Sequence, residues 1–520
     1  MRAGSGASRE GAEVGSTRVS GEGAAGWPAS QMRAGIAWLP ILVVAGTLVA
    51  LLLAFVGEYG FHRDELYFIV AGRQPALGYP DQPPFTPLIS AAAVELFGLS
   101  PLSIRILPAL SAGAIVVLAG LMARELGGSP RAQLLAALLT AVSGLMAAGH
   151  LASTATYDLL VWALVAWLVV RLLAGADPRQ WLLVGLVAGI GLENKHTVLF
   201  LGFGLAVGML LARRWDLVRS RWTWLALGIA VLVWLPNLVW QAQHGFPQLE
   251  MASRIASSAG GDRSKLVLEL MLLLGILTFP ALLAGDWWLL RANAAERWRL
   301  LGWAPIAVLA LVVITGGKSY YAVGSLSLLA AAGGVVLDGW LTRARGPLRM
   351  TISGTAIAAT GAFTAVLVLP VVPVASLGST PIPDIYHEAG AQVGWPQLVA
   401  TVKRVVDELP QAQQDRAVIV TANYGQAGAI ELLGDGRLPV ASGHNGYWDW
   451  GPPDDARTTV VLVGSWDRLH WGTVLGACQA RATVDNGLSV PNEEQGAPVA
   501  VCPQMTSSWS EMWPEFRHLD

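Results

Sequence analysis

Charge is what this chain has least of. Only 13% of its 520 residues are Asp, Glu, Lys or Arg, against about 25% in an ordinary soluble protein. The 34 basic and 36 acidic residues nearly cancel, to a formal net charge of −2. No basic tract stands out, so a nucleic-acid partner is set aside. Cysteine is also scarce: Cys478 and Cys502 are the two in the chain, which leaves room for a single bridge. What the sequence has in excess is apolar residues, 54% of the total, with a mean hydropathy of +0.51. That balance describes an integral membrane protein and not a soluble one with a large core.

The first 34 residues are Gly, Ser and Ala with scattered charge; they hold too little apolar content to order themselves and are expected to form a disordered cytoplasmic tail. An apolar run at 35–57 follows, longer than a signal-peptide core and without a small-residue cleavage site, which reads as a retained first helix. Further runs lie at 103–123, 132–149, 158–175, 181–193, 197–212, 222–240, 265–287, 300–315, 320–339 and 350–372. About eleven spans result, given the ~20 residues that cross the hydrocarbon. The runs 181–193 and 197–212 are short, and the polar "ENKH" between them is expected to turn within one leaflet, shielded by protein.

Lys and Arg in the short loops predict orientation. Arg33, Arg124, Arg131, Arg171, Arg179 and the basic loops at 213–222, 291–299 and 343–349 all fall on one side if the N-terminus is cytoplasmic and each run crosses once. The opposite, outer side then receives the 58–101 loop, "GHLASTATYD" at 149–158, "ENKH" at 193–196, the 241–264 loop, "TGGKSYY" at 315–321 and everything after residue 373. The unusual polar residues therefore gather outside.

The densest cluster is "YGFHRDELYF" at 59–68, followed by "GYPDQPPF" from 78. It sets His62, Asp64, Glu65 and Asp81 directly after a membrane run. Each has a plainer reading. Asp64 and Glu65 could be a solvated acid pair, Asp158 a dipole partner near a helix start, Arg105 a snorkelling side chain, and Lys318 a loop end. Lys195 and His196 lie between apolar runs, where ionisable groups are costly and usually functional. Cations (Arg105, Lys195, His196, Lys318) facing acids (Asp64, Glu65, Asp81) at a membrane surface suit one chemistry. Basic groups can bind a lipid-borne phosphate and stabilise it as a leaving group, while a carboxylate takes the proton from an incoming hydroxyl. His62, Asp81, Asp158, Tyr320 and Tyr321 are candidates to bind the acceptor or the sugar.

"FHRDELYF", "GYPDQPPFTPL" and "SIRILPAL" resemble the integral membrane C-type glycosyltransferases related to protein O-mannosyltransferases and to the aminoarabinose transferases of lipid A. "GHLASTATYDLLVWAL", "GLENKHTVLF", "GGKSYYAVGSLSLLAAAGG", "IVTANYGQAGAIELLG" and "SGHNGYWDWGPP" resemble later blocks of the same bacterial branch, so the likeness covers nearly the whole chain beyond residue 35. It implies a GT-C fold and transfer of a hexose or pentose from a polyprenyl-phosphate donor to a cell-envelope glycan, lipid or protein, with inversion. Carried over by position, Asp64 becomes the catalytic base with Glu65 beside it supporting the site or the acceptor, Asp81 a second acidic position, and Arg105 an arginine near the donor phosphate. A divalent cation is left open as a cofactor.

Residues 374–520 lose the membrane composition and read as a small extracytoplasmic α/β domain. "RAVIVTA" and "TTVVLVGS" have the pattern of buried strands, and "GQAGAIELLG" that of a helix closed by Gly434. Tyr447, Trp448 and Trp450 suit either sugar stacking or loop packing. Cys478 and Cys502 are expected to pair in the oxidising space outside the cytoplasm. A multi-pass transporter or lipid flippase is the alternative. It would show ionisable groups near the bilayer midplane and repeated halves, and no such repeat is found.

Overall fold

In a computed structural model the described residues are 34–258, 265–343, 346–465, 475, 477–503, 505 and 507–519. The expected tail at 1–34 lies outside them but for its last residue. Residues 34–520 form one compact unit, so the segment after 373 is continuous with the helical body and does not stand apart from it.

Among the described residues six helices are long and apolar enough to cross a membrane: Pro101–Glu125, Thr154–Leu173, Arg221–Gln243, Asn293–Thr315, Ser319–Leu341 and Gly346–Val368. Leu266–Leu274 and Phe279–Arg291 make a seventh if the pair counts as one span; it is bent by 94°, at Gly275, whose φ of +99° is open to glycine. The expected count of about eleven full spans is thus not confirmed among the described residues. The first run yields a helix of 17 residues, Trp38–Ala54. The run at 132–149 breaks into Pro130–Ala141 and Leu145–His150, where the Gly144 N–H donates to Leu273 O instead of continuing a helix. Trp181–Leu192 and Val198–Leu211 are short, as expected.

The helices start where the sequence supplies caps. Ser100 and Ser129 accept from the backbone N–H three residues on, each with Pro at the first helical position. Two glycine pairs set close helix crossings. Gly185 and Gly189 lie against Ala226 and Ala230, and Gly204 and Gly208 against Ala304 and Leu300. Small residues four apart let backbones approach where lipid supplies no hydrophobic drive.

The basic loops meet at one end of the bundle. Arg124 donates to Ala34 O at 2.9 Å, Arg131 pairs with Asp338, Arg214 donates to Arg297 O and Arg349 to Trp340 O. The 58–101 segment is not an open loop. It folds into two helices, Arg63–Arg73 and Phe85–Phe97, packed on each other.

Beyond residue 374 the chain forms a five-stranded sheet in the order β2-β1-β3-β5-β4, with β1 Ala417–Thr421, β2 Val440–Ser442, β3 Thr459–Val463, β4 Gln479–Thr483 and β5 Pro498–Cys502. β2, β1 and β3 run parallel, while β5 and β4 are antiparallel to their neighbours. β1 and β3 are fully buried, covered on one side by the Trp395–Asp407 helix and on the other by Trp509, Trp513 and Phe516. The Cys478–Cys502 disulfide is formed.

A Cβ at Gly208 would fall 2.3 Å from Leu300 O, whereas one at Gly202, on the same helix, meets nothing within 4 Å. Gly208→Val is therefore expected to cost about 1–3 kcal/mol through overpacking and to lower the thermal transition of the detergent-purified protein, with Gly202→Val near wild type. Equal transitions for the two variants would contradict this packing.

Candidate active site

Two neighbouring acids open the Arg63–Arg73 helix and point to different surroundings. His62 caps the helix. Its Nδ1 accepts from the Asp64 N–H at 3.2 Å, and its own N–H donates to Glu65 Oε2 at 2.8 Å, a reciprocal capping box. Since Nδ1 accepts, Nε2 carries the proton and donates to Glu388 Oε2 at 2.6 Å.

Glu65 is 0% exposed and accepts four bonds: from His62 N, from Ala152 N at 2.9 Å, and two from Arg105, Nε at 2.8 Å and Nη2 at 2.7 Å. Arg105, 1% exposed, also donates to Val56 O, Gly60 O and Gln392 Oε1. This corrects two expectations. Glu65 has no face toward a substrate, and Arg105 is closed in by its protein partners instead of facing a donor phosphate. Both hold the site in place.

Asp64 is different. Its side chain is one-third exposed, with Arg63 Nε at 3.5 Å. The Tyr424 hydroxyl donates to Oδ1 at 2.8 Å. Tyr424 opens the Tyr424–Leu433 helix, capped by Asn423, whose side chain accepts from the Gln426 N–H. That helix lies directly on Arg63–Arg73 because Gly425 and Gly428 face it; a Cβ on either would meet Arg63 Cβ at 2.9 Å or Leu66 at 3.1 Å. Tyr67, its ring tilted against that of Tyr424 at 4.8 Å, donates to Asp81 Oδ1 at 2.8 Å and accepts from the Gly446 N–H. Burial pushes the Asp81 carboxyl up to about 6, against that hydrogen bond. Burial would likewise raise Glu388, but the His62 bond and charge, with Arg63 and Lys318, overcome it and hold that carboxyl at about 2.

The cations come from the "ENKH" turn and the "GGKSYY" segment. Asn194, 1% exposed, locks the turn by accepting from Thr86 Oγ1 at 2.6 Å and donating to Thr154 O at 2.8 Å. Lys195 Nζ then sits 4.8 Å above the Tyr320 ring and 5.7 Å above that of Tyr321. Asp158, Lys318 and Asp64 all act on it electrostatically. Asp158 is buried, with Thr197 and Trp162 beside its carboxylate. His196 turns away: its Nε2 lies 3.3 Å from both Asn237 Oδ1 and Trp234 Nε1, so it braces the Arg221–Gln243 helix. This too departs from the expectation of a phosphate ligand.

The structure thus gathers His62, Asp64, Asp81, Asp158, Lys195, Lys318, Tyr320 and Tyr321 at one end of the bundle. Among the described residues no group of three or more His, Cys, Asp or Glu is arranged to hold a metal ion. Tyr424, Tyr67 and Glu388 were missed from sequence. The "TANYGQAG" block flagged the neighbourhood of Tyr424, but no local pattern reveals its contact with Asp64.

With a carboxylate and a lysine converging over helices of membrane length, the chain is similar to the GT-C membrane glycosyltransferases. A family described as dolichyl-phosphate-mannose-protein mannosyltransferase matches residues 81–240. The chain is similar to the lipid A galacturonosyltransferase RgtD of Rhizobium johnstonii, 27% identical over 332 residues, 61% of this chain and 69% of that protein. In fold it is similar to ArnT from Cupriavidus metallidurans. The crystal structure of ArnT bound to undecaprenyl phosphate has a TM-score of 0.57 at 14% identity, covering 90% of this chain and 98% of ArnT. Its apo form has the same TM-score, over 88% and 97%.

Removing Arg105 would leave Glu65 buried and unpaired, which costs about 3–5 kcal/mol. Arg105→Ala is expected to lower yield and thermal stability sharply. A stable Arg105→Ala protein with only a raised donor KM would restore the phosphate-binding role.

Proposed function

We propose that the protein transfers a sugar from a polyprenyl-phosphate donor to an extracytoplasmic acceptor, with Asp64 as the base. The observation that carries this is the partly exposed Asp64 carboxylate, oriented by Tyr424 and within electrostatic reach of Lys195. The acceptor hydroxyl oxygen attacks the anomeric carbon as the bond from that carbon to the phosphate oxygen breaks. The hydroxyl proton passes to Asp64. The electron pair leaves with the phosphate, whose charge Lys195 and Lys318 offset. A single displacement of this kind inverts the anomeric centre.

Tyr320 and Tyr321 hold Lys195 in place, and Asp158 balances its charge in a buried setting. We assign His62 and Asp81, both within electrostatic reach of Asp64, to the acceptor side. A polyprenyl-phosphate donor is supported by the undecaprenyl phosphate bound in ArnT, and a lipid or glycan acceptor by the lipid A named for RgtD. We take the donor sugar to be a hexose or pentose, with mannose as one member of that class, and the acceptor to be a cell-envelope glycan, lipid or protein.

For orientation we propose a cytoplasmic N-terminus and an extracytoplasmic segment 374–520. The basic loops share the end opposite the site, which agrees with positive charge on the cytoplasmic face. The Cys478–Cys502 bridge favours an oxidising compartment.

Two measurements test the proposal. Asp64→Asn is expected to fold normally and to lose transfer by about 10²–10⁴-fold, with Tyr424→Phe losing less, since it removes orientation and not the base. Wild-type turnover in Asp64→Asn would show the base to be wrong. On intact cells an impermeant thiol reagent should reach Cys478 only after reduction. Labelling that needs membrane rupture as well would reverse the orientation.

A further inference from the structure

A cavity of ≈ 560 Å³ opens beyond the site, between the Trp395–Asp407 and Tyr424–Leu433 helices and over β1 and β2. Its floor is apolar, with Val402, Val418 and Ile419 among its residues, and one wall carries Tyr447 and Trp450, whose rings lie 4.5 Å apart. From this geometry we propose that the cavity binds a neutral saccharide, the remote part of an extended glycan acceptor.

Three features choose that class. First, an aromatic wall beside exposed planar polar groups suits a molecule with one C–H face and a rim of hydroxyls. Glu431 and Gln74 supply the polar groups, both exposed at the cavity, and the Tyr447 hydroxyl fixes Glu431 by donating to Oε2 at 3.2 Å.

Second, the charges at the mouth leave no net positive field. Lys403 pairs with Asp407 at 3.0 Å and Asp435 at 3.3 Å, and Arg437 pairs with the same two acids at 2.6 Å each. Glu431 and Asp454 add further carboxylates to the lining. Two cations already held by carboxylates leave no field for a phosphate or sulfate, so an anionic headgroup is disfavoured.

Third, the cavity and the active site lie along one helix face. Asp64, Tyr67, Val70 and Gln74 recur at three- and four-residue spacing; the first two belong to the site and the last two line the cavity. At 1.5 Å per residue, the cavity begins about 9 Å from Asp64 along the helix, a gap that a single sugar does not bridge and an oligosaccharide does. Tyr67 joins the two regions, with Tyr447 at 6.2 Å and Trp450 at 6.4 Å.

Saccharide binding stands on the cavity itself; its role as the far end of the acceptor rests on the transferase reading. Saturation-transfer NMR on the full purified chain, with no donor present, separates the two. The probes are the neutral oligosaccharides released from the cell envelope by mild acid and dephosphorylated, and the same pool before dephosphorylation. The expected result is saturable transfer to ring C–H protons of the neutral pool, weaker for the phosphorylated one. Affinity should fall about five-fold in Trp450→Ala, a loss of the size one aromatic contact supplies, and also fall in Glu431→Gln, which keeps the side-chain shape should the tryptophan variant not fold. Asp64→Asn should bind as wild type. No binding by wild type, unchanged binding in Glu431→Gln, or equal preference for the phosphorylated pool would each overturn the proposal. Transfer without saccharide binding would remove the cavity's role and leave the transferase reading. Binding by a protein that transfers nothing would do the reverse.

Discussion

The buried pair of Glu65 and Arg105 is the constraint on which the site depends. Two charges taken out of water are tolerated only when each is paired and hydrogen-bonded on all sides. Here the carboxylate accepts from two backbone N–H groups as well as from the guanidinium, and the guanidinium donates to the carbonyls of Val56 and Gly60 and to Gln392. These contacts tie together the end of the first helix, the start of Arg63–Arg73, the Pro101–Glu125 helix, the turn at Ala152 and the segment after 373. With Glu65 pinned inward, its neighbour Asp64 is turned by the helical rotation of one residue toward the open side. An acid pair that looks uniform in sequence divides into an anchor and a candidate base.

The rest of the site is assembled from distant parts of the chain. Tyr424 lies 360 residues from Asp64, and it arrives because two glycines let its helix lie on the backbone of Arg63–Arg73. Lys195 is placed by Asn194, which is bonded to both Thr86 and Thr154. The Tyr424–Leu433 helix, beyond residue 374, is therefore part of the candidate-site wall. This also argues against the transporter alternative, because the charged side chains converge at one end of the bundle, under a folded cover, and not along a path through it.

Much of this was legible locally. Scarce charge and long apolar runs identified a membrane protein and located helices, and two β-branched runs located β1 and β3. The cluster at 59–68 marked the site because ionisable groups next to apolar helices carry a high solvation cost and persist only with a role. The span count is not confirmed, since length and hydropathy cannot report a bend at Gly275 or the break before Leu145.

What the sequence by itself determined is the class of protein, the residue types at the site and the possibility of one disulfide. All of these follow from composition and from spacings within a turn or two. Only the tertiary structure decided which charges are spent on one another and which remain for a substrate. Arg105, His196 and Lys195 are equally basic or polar as letters. Their different roles come from what faces each across the fold: a buried carboxylate, an asparagine with a tryptophan, and two tyrosine rings. The physical reason is that the energy of a charge depends on its burial and partners, and those partners lie tens to hundreds of residues away.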